Sequence, residues 1–389
     1  MGNVYLIIVD GLGVGAQEDA HEYGDSEMNT LGHVSSQTGV QLPNLQKMGL
    51  GNIIPLDSVS PNEDSLAAFG KLREVSAGKD STTGHWEIAG IHLDRPFPTY
   101  PNGFPDDVIT SFCNEIGVDG VLCNKPYSGT DVIRDYGEQH LKTGKPIVYT
   151  SADSVFQVAS HIDVVSIEKL YEWCETARDK ICTGEHEVGR VIARPFKGDP
   201  GNFERISDRR HDYSSTPPEN NLVSKLQDKG VETHSVGKVA DLFAGEGFDR
   251  TNPTKSNAQG LKELLRLMSS GLENSFVFVN LIDTDQLYGH RLDPEGYAKS
   301  LEEFDRAIPA IVSKVRKQDL LIITGDHGND PCSESTDHSR EFVPLLVFPK
   351  TRAVQVDLGT GETFSNIAKS IAAVFDLPND FPGKFFIKQ

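Results

Sequence analysis

The chain has 389 residues, with 37 Lys and Arg against 57 Asp and Glu and a formal net charge of -20. So diffuse an acidic excess argues against general nucleic-acid or anionic-membrane binding and leaves any anionic substrate to local cations or metals. An apolar share of 37% fits a globular protein of two domains, and five cysteines without a Cys-x-x-Cys pair argue against a disulfide framework and for a cytoplasmic location.

Residues Val4–Val9 form a β-branched run that predicts a strand covered on both faces. The run is too short to span a membrane and has no cationic flank of the signal-peptide kind. It ends at Asp10, and Gly11-Leu12-Gly13-Val14-Gly15-Ala16 then matches the spacing of a dinucleotide-binding turn. Residues 17–25 have no apolar helical period, and such a turn needs a helix there to hold pyrophosphate.

Ten residues from Gly78 to Glu87 (Gly-Lys-Asp-Ser-Thr-Thr-Gly-His-Trp-Glu) hold three hydroxyls, two acids, a lysine and an imidazole, a density no core requires. The residues after Ser81 can begin a helix, whose free N–H groups favour an anion. Ser81 can be an activated nucleophile there, or simply the cap of that helix.

Four prolines between Leu93 and Pro105, and Ser214-Ser215-Thr216-Pro217-Pro218, mark two domain boundaries. The expected division is 1–96 for the first part of a core domain, 97–216 for an inserted α+β domain and 217–389 for the rest of the core. Within the insertion, helices are predicted over Asp106–Ile116 and Ser166–Ile181, and strands over Pro146–Thr150 and Val188–Ala193. Beyond it, strands at Val231–Val236, Phe276–Leu281, Leu320–Thr324 and Pro344–Phe348 alternate with helices at Leu222–Lys229, Ser256–Ser270, Tyr297–Val315 and Phe364–Phe375. Pro309 should bend or break the third of these helices. This alternation predicts an α/β core with a parallel-type sheet flanked by helices.

Three strands end in the same chemistry. Val4–Val9 runs into Asp10, Phe276–Leu281 into Asp285 and His290, and Leu320–Thr324 into Asp326 and His327; His338 precedes the next strand. Ligands of open α/β sheets bind beyond the carboxyl ends of strands, so these groups can converge. Carboxylates with imidazoles suit Mn²⁺, Zn²⁺ or Fe²⁺, and the oxygen-rich set leans towards Mn²⁺ or Mg²⁺. Six ligands exceed the needs of one open catalytic ion; two ions about 3.5–4 Å apart would clamp a phosphoryl transfer.

These residues together resemble the alkaline phosphatase superfamily and, within it, the phosphopentomutase family. The likeness spans nearly the whole chain. It rests on Asp10–Gly15, Asn29–His33, Gly78–Asp80 with Thr83–Glu87, Asn124–Thr130, Tyr149–Val155, Arg190–Phe196, Arg210–Tyr213, Asn280 through Arg291, Gly325–Asp330 and Asp337–Glu341. The resemblance implies an alkaline phosphatase-like core with an inserted cap domain. It implies two divalent ions, Mn²⁺ being the expected metal: one held by Asp285, His290 and His338, the other by Asp10, Asp326, His327 and the nucleophile. It also implies interconversion of ribose 1-phosphate or 2-deoxyribose 1-phosphate with the 5-phosphate, through a phosphoenzyme and a bisphosphate, primed by a sugar bisphosphate. The substrate contacts carried over are Ser151, Asp153, Val155, Arg190, Ile192 and Arg205, with Lys238. The family's usual nucleophile is threonine, four residues before the histidine of Thr-Gly-His-Trp-Glu; here that position is Ser81. A metal-dependent phosphatase or phosphodiesterase of the same superfamily would share every metal ligand. A small sugar phosphate is the expected partner, with no nucleic acid, membrane or obligate protein partner.

Overall fold

A computed structural model describes residues 2–151, 153–378 and 380–388. The chain divides into two compact units, Met1–Pro96 with Pro217–Gln389, and Phe97–Thr216. The fold is mixed α/β, with sheets flanked by helices.

The strands in chain order are β1 (Val4–Val9), β2 (Ala68–Leu72), β3 (Leu122–Pro126), β4 (Ile147–Thr150), β5 (Val155–His161), β6 (Arg190–Asp199), β7 (Asn202–Arg205), β8 (His211–Ser214), β9 (Glu232–Val236), β10 (Arg250–Asn252), β11 (Ser275–Leu281), β12 (Leu320–Thr324), β13 (Val343–Phe348) and β14 (Asp357–Gly361). Among the described residues the first unit has an 8-stranded sheet in the order β10-β9-β11-β1-β12-β13-β2-β14. The stretch from β10 to β12 is parallel, whereas β13 runs antiparallel to both of its neighbours. The reason lies in the connection. Parallel neighbours need a crossover, usually a helix, and residues 325–342 between β12 and β13 form loops and bridges instead, so the chain turns back beside itself.

Every residue of β1, β11 and β12 is buried, as their near-continuous apolar sequences require. Tyr5, Ile7 and Val9 of β1, with Val277, Val279 and Leu281 of β11, face a core built with the helices Thr30–Thr38, Pro43–Met48, Asn257–Ser269 and Pro294–Val312. Alternate residues point the other way, where Phe278 meets His85 and Phe243. The register Val9↔Leu281 and Ile8↔Thr324 brings the carboxyl ends of β11, β1 and β12 to one edge.

The helix expected at Tyr297–Val315 runs from Pro294 to Val312, because Asp293 caps it by accepting from the Gly296 N–H and proline suits the first position. Pro309 lies inside it and cannot donate to the Asp305 carbonyl. Asn44 replaces that bond: its Nδ2 donates to the Asp305 carbonyl at 3.1 Å and to Asp305 Oδ2 at 2.9 Å. The predicted helix Ser166–Ile181 is α-helical over Ile167–Thr176, capped by Ser166, and widens to a π-helical turn over Ala177–Ile181.

The second unit has a 6-stranded sheet in which β3-β4-β5-β6-β7 are in order and β8 pairs with β6. One face packs with helices Asp106–Ile116 and Ile167–Thr176 through Phe112, Phe156, Val158, Leu170 and Val191; the other packs partly beneath helix Asp131–Thr143 through Ile147, Ala159 and Phe196.

Replacing Asn44 with alanine should leave the Asp305 carbonyl and one carboxylate oxygen short of donors. The expected cost is about 1–3 kcal/mol, read by denaturant unfolding of N44A against the parent. A cost near zero would mean that the Pro309 gap needs no side-chain repair.

Candidate active site

The helix Ser81–Ile88 begins where the chain leaves the 74–80 loop, and its cap is Asp80 rather than Ser81. Asp80 Oδ1 accepts from the backbone N–H groups of Thr82 (3.0 Å) and Thr83 (3.1 Å), and Oδ2 accepts from Thr83 Oγ1 at 2.6 Å. Capping thus occupies the Thr83 hydroxyl and leaves that of Ser81 for another task. Ser81 Oγ lies 3.0 Å from His327 Nε2.

The rest of the stretch fixes this helix. A Cβ at Gly84 would overlap the Asp326 carbonyl oxygen, so the helix lies at backbone distance from the end of β12. His85, fully buried, has Nδ1 2.8 Å from the Ser81 carbonyl and 3.1 Å from Asp326 Oδ2. Trp86 Nε1 donates to the Leu242 carbonyl. Glu87, also fully buried, accepts from the N–H groups of Val75, Ser76 and Phe364 and from Thr363 Oγ1, tying the helix to two other segments. Arg340, 2% exposed, donates to the carbonyls of Glu74, Ser76 and Gly78, so the loop leading to Ser81 is held from the segment that carries His338.

Asp10, Asp285, Asp326, His290, His327 and His338 come together at the common strand edge. One group is Asp10, Asp326 and His327; a second is Asp285, His327 and His338, the ligand atoms of each lying within 4.8 Å of one another. His290 Nε2 stands 3.3 Å from Asp285 Oδ2, and His338 Nε2 stands 3.4 Å from Asp285 Oδ1. His327 lies between the groups, its ring 4.1 Å from that of His338. Each site carboxylate is oriented from behind: Asn280 Nδ2 donates to Asp10 Oδ2, Asn329 Nδ2 to Asp285 Oδ1, and the Gly11 N–H to Asp326 Oδ1. The two asparagines and Arg340 carry roles that no spacing rule singled out. Asn280 sits inside the apolar strand β11, where a lone amide is the only hint.

These groups suit divalent cations. Asp10 Oδ1, Asp326 Oδ2 and His338 Nε2 are buried and have no hydrogen-bond partner. His290 Nδ1 lies 2.7 Å from the Thr336 carbonyl and His327 Nδ1 lies 3.0 Å from the Gly328 carbonyl; a proton on each Nδ1 leaves Nε2 free to ligate. Electrostatics agree. Burial, with Asp326 and Asp285 nearby, raises the Asp10 carboxyl. Burial would also raise Asp285, yet the hydrogen bonds from His290 and His338 hold it well below the usual range. Burial would lower His327, but Asp326 and Asp10 raise it well above its ordinary value. Without cations, protons on the imidazoles must balance the carboxylates; metal ions would take over that charge.

The remaining candidate residues are in two places. Lys238 follows Gly237 at the end of β9, on the same sheet edge as Asp10. Asp153, Val155, Arg190 and Ile192 gather in the second unit, where Val155 pairs with Arg190 and Arg190 Nη2 lies 3.8 Å from Asp153 Oδ2. Ser151 follows β4, and Arg205 ends β7 opposite Phe196. The glycines of the 11–16 turn serve close approach: Gly15 donates its N–H to Glu341 Oε2, and a Cβ at Gly13 would overlap the same carboxylate.

Adding a methyl group at Gly84 should push the helix off the β12 end and separate Ser81 from His327. G84A is expected to lose at least about 100-fold in turnover while keeping its far-ultraviolet circular dichroism, as a misplacement near 1 Å can cost that much. Unchanged turnover would refute the close-approach requirement.

Comparison with known proteins accords with this arrangement. The family model described as the metalloenzyme superfamily matches residues 2–379. A phosphopentomutase of Caldanaerobacter subterraneus subsp. tengcongensis is 48% identical over 386 residues, covering 99% of this chain and 97% of the relative. A phosphopentomutase of Carboxydothermus hydrogenoformans is 50% identical over 378 residues, covering 97% of this chain and 96% of the relative. Among solved structures, a Leishmania mexicana phosphoglycerate mutase at low cobalt concentration aligns with a TM-score of 0.50 and 13% identity, over 99% of this chain and 98% of that one, a likeness of fold alone. The chain belongs to the phosphopentomutase family, within the metalloenzyme superfamily.

Proposed function

We propose that the protein is a metal-dependent isomerase that interconverts ribose 1-phosphate, or 2-deoxyribose 1-phosphate, with the corresponding 5-phosphate. The single observation that carries this reading is near-half identity to phosphopentomutases along the whole chain. The approach of Ser81 Oγ to His327 Nε2 supports it. Ser81 carries the phosphoryl group. Its Oγ–P bond breaks as the free C1 or C5 oxygen of the pentose phosphate gains the phosphorus and loses its proton, which yields a bisphosphate. The bisphosphate turns round, its other phosphate passes to Ser81, and the isomeric monophosphate leaves. A sugar bisphosphate primes the serine.

Asp285, His290 and His338 would hold one divalent ion, and Asp10, Asp326, His327 and the Ser81 oxygen a second, with Mn²⁺ the expected metal. When bound, such ions polarise phosphoryl oxygens and stabilise the charge of the transition state. The backbone N–H groups at the start of the Ser81–Ile88 helix add partial positive charge beside the same oxygen. Residues Phe97–Thr216 act as a substrate-binding cap inserted in the core, offering Ser151, Asp153, Val155, Arg190, Ile192 and Arg205, while the core adds Lys238. Water must be kept from phosphorylated Ser81, because water as acceptor turns transfer into hydrolysis. No helix among the described residues is long and apolar enough to cross a membrane, which supports action on a dissolved sugar phosphate in the cytoplasm.

Incubation with ribose 5-phosphate, Mn²⁺ and a catalytic amount of glucose bisphosphate should yield ribose 1-phosphate; release of inorganic phosphate without isomer would favour a phosphatase of the same superfamily. Mass spectrometry of the primed enzyme should find phosphate on Ser81. S81A should lose about 1,000-fold or more in turnover and take up no phosphate. Label on Thr82 or Thr83 would overturn the assignment.

Metal affinity should rise with pH. Burial would lower His290, but its hydrogen bond and charge contact with Asp285 raise it to about 9. The proton on His290 therefore stabilises the metal-free fold fully below about pH 6.5, and this contribution is lost as pH rises through about 9. Metal requires the neutral ring. Between pH 6.5 and 9 the dissociation constant, measured by chelator competition, should tighten up to about tenfold per pH unit for each proton released. A pH-independent constant would show that His290 binds no metal.

A further inference from the structure

The second unit contains a cluster of cationic and hydroxyl groups that its own carboxylates leave unbalanced. Arg190, Ile192 and Arg194 alternate along β6 and share one face of the sheet. Gln157 pairs with Ile192, and Tyr149 pairs with Gln157, so both lie on that face. Helix Asp131–Thr143 covers the far part of the face, and Gly129 stands two residues before it.

Three donors converge on Gly129. A Cβ there would lie 3.0 Å from the Tyr149 hydroxyl, 3.5 Å from Arg205 Nη1 and 3.7 Å from Arg194 Nη1. Tyr149 is 1% exposed, and its hydroxyl has no hydrogen-bond partner. Arg194 donates Nε to Gln157 Oε1 at 3.1 Å, and among the described residues neither Arg194 nor Arg205 has a carboxylate within ion-pair distance. The carboxylates nearby are engaged elsewhere: Asp212 with Arg210 and Arg190, and Asp131 with Arg134. Burial lowers the Arg194 pKa, and the Arg210 and Arg205 charges add to the effect. Buried hydroxyls and guanidinium groups are ordinarily paired, so this set is arranged for a partner that the chain does not contain.

We propose that Tyr149 and Arg194, acting with Arg205, receive the phosphate of the pentose phosphate that is not being transferred. This rests on the isomerase reading and extends it to two side chains outside the set identified by resemblance. Guanidinium forks match the tetrahedral oxygens of a phosphomonoester dianion, and the Tyr149 hydroxyl supplies a neutral donor from the floor. The absence of a side chain at position 129 leaves the space open. A bisphosphate that turns round must present first one phosphate and then the other to this site. A cradle made only of donors reads the phosphate and not the carbon that bears it, so it serves both orientations.

The test is binding to the full-length chain stripped of metal with chelator, so that core metals contribute nothing. Ribose 5-phosphate and inorganic phosphate should bind in calorimetry and ribose should not. Y149F should raise the dissociation constant of both phosphates about 3–10-fold, and R194Q about 10–100-fold, with matching rises in KM in the metal-loaded enzyme and little change in metal affinity. Y149F removes one oxygen, so it remains informative if R194Q fails to fold. Wild-type affinity in a folded Y149F, or in a folded R194Q, would overturn the proposal. Failure of the isomerase reading would show separately, as wild-type protein that binds phosphate yet makes no isomer.

Discussion

The contact on which this molecule depends is the approach of helix Ser81–Ile88 to the end of β12 at backbone distance, with no side chain at position 84 between them. Sheet and helix each bring one half of the chemistry. The sheet aligns Asp10, Asp285 and Asp326 at one edge through the parallel register of β11, β1 and β12. The helix delivers Ser81 to that edge. The surrounding side chains hold this contact in place: His85 binds Asp326, Trp86 reaches the Leu242 carbonyl, and Glu87 collects donors from two other segments. A crowded polar stretch is thereby resolved into one reactive hydroxyl and several anchors.

The second governing fact is charge. Three carboxylates buried within one site repel one another, and burial alone would drive their protons back on. Histidines and amide donors relieve part of this, yet Asp10 Oδ1 and Asp326 Oδ2 still lack partners. A fold that tolerates such oxygens is organised for cations. The unpaired arginines of the second unit present the opposite imbalance. Excess negative charge at one place and excess positive charge at another are what a phosphorylated, metal-dependent reaction requires, although the chain as a whole is uniformly acidic.

Much of this was legible in the sequence, for physical reasons that differ from place to place. The strands β1, β11 and β12 could be read because burial on both faces demands unbroken apolar runs, and their terminal aspartates stood out against them. The antiparallel entry of β13 could not be read, because nothing in Pro344–Phe348 encodes direction; direction is set by the helix-free connection before it. The start of the long helix at Pro294 was hidden because its first turn is polar, and the Asn44 repair of the Pro309 gap joins residues far apart in the chain. Ser81 emerged only by counting back from His85. Its separation from the capping role required seeing Asp80 take that role. Arg340 gave no sign of being buried, since arginine is ordinarily a surface residue.

Arg340 also creates an asymmetry in how the protein can change. Its guanidinium donates to the main-chain carbonyls of Glu74, Ser76 and Gly78. Those oxygens are present whatever residues occupy positions 74, 76 and 78, so most of the clasp is indifferent to side-chain identity on one side and wholly dependent on it on the other. Variation in the loop need not disturb these bonds, whereas loss of Arg340 has no simple second-site suppressor there, because no replacement side chain in the loop can restore a missing donor to its own backbone oxygens.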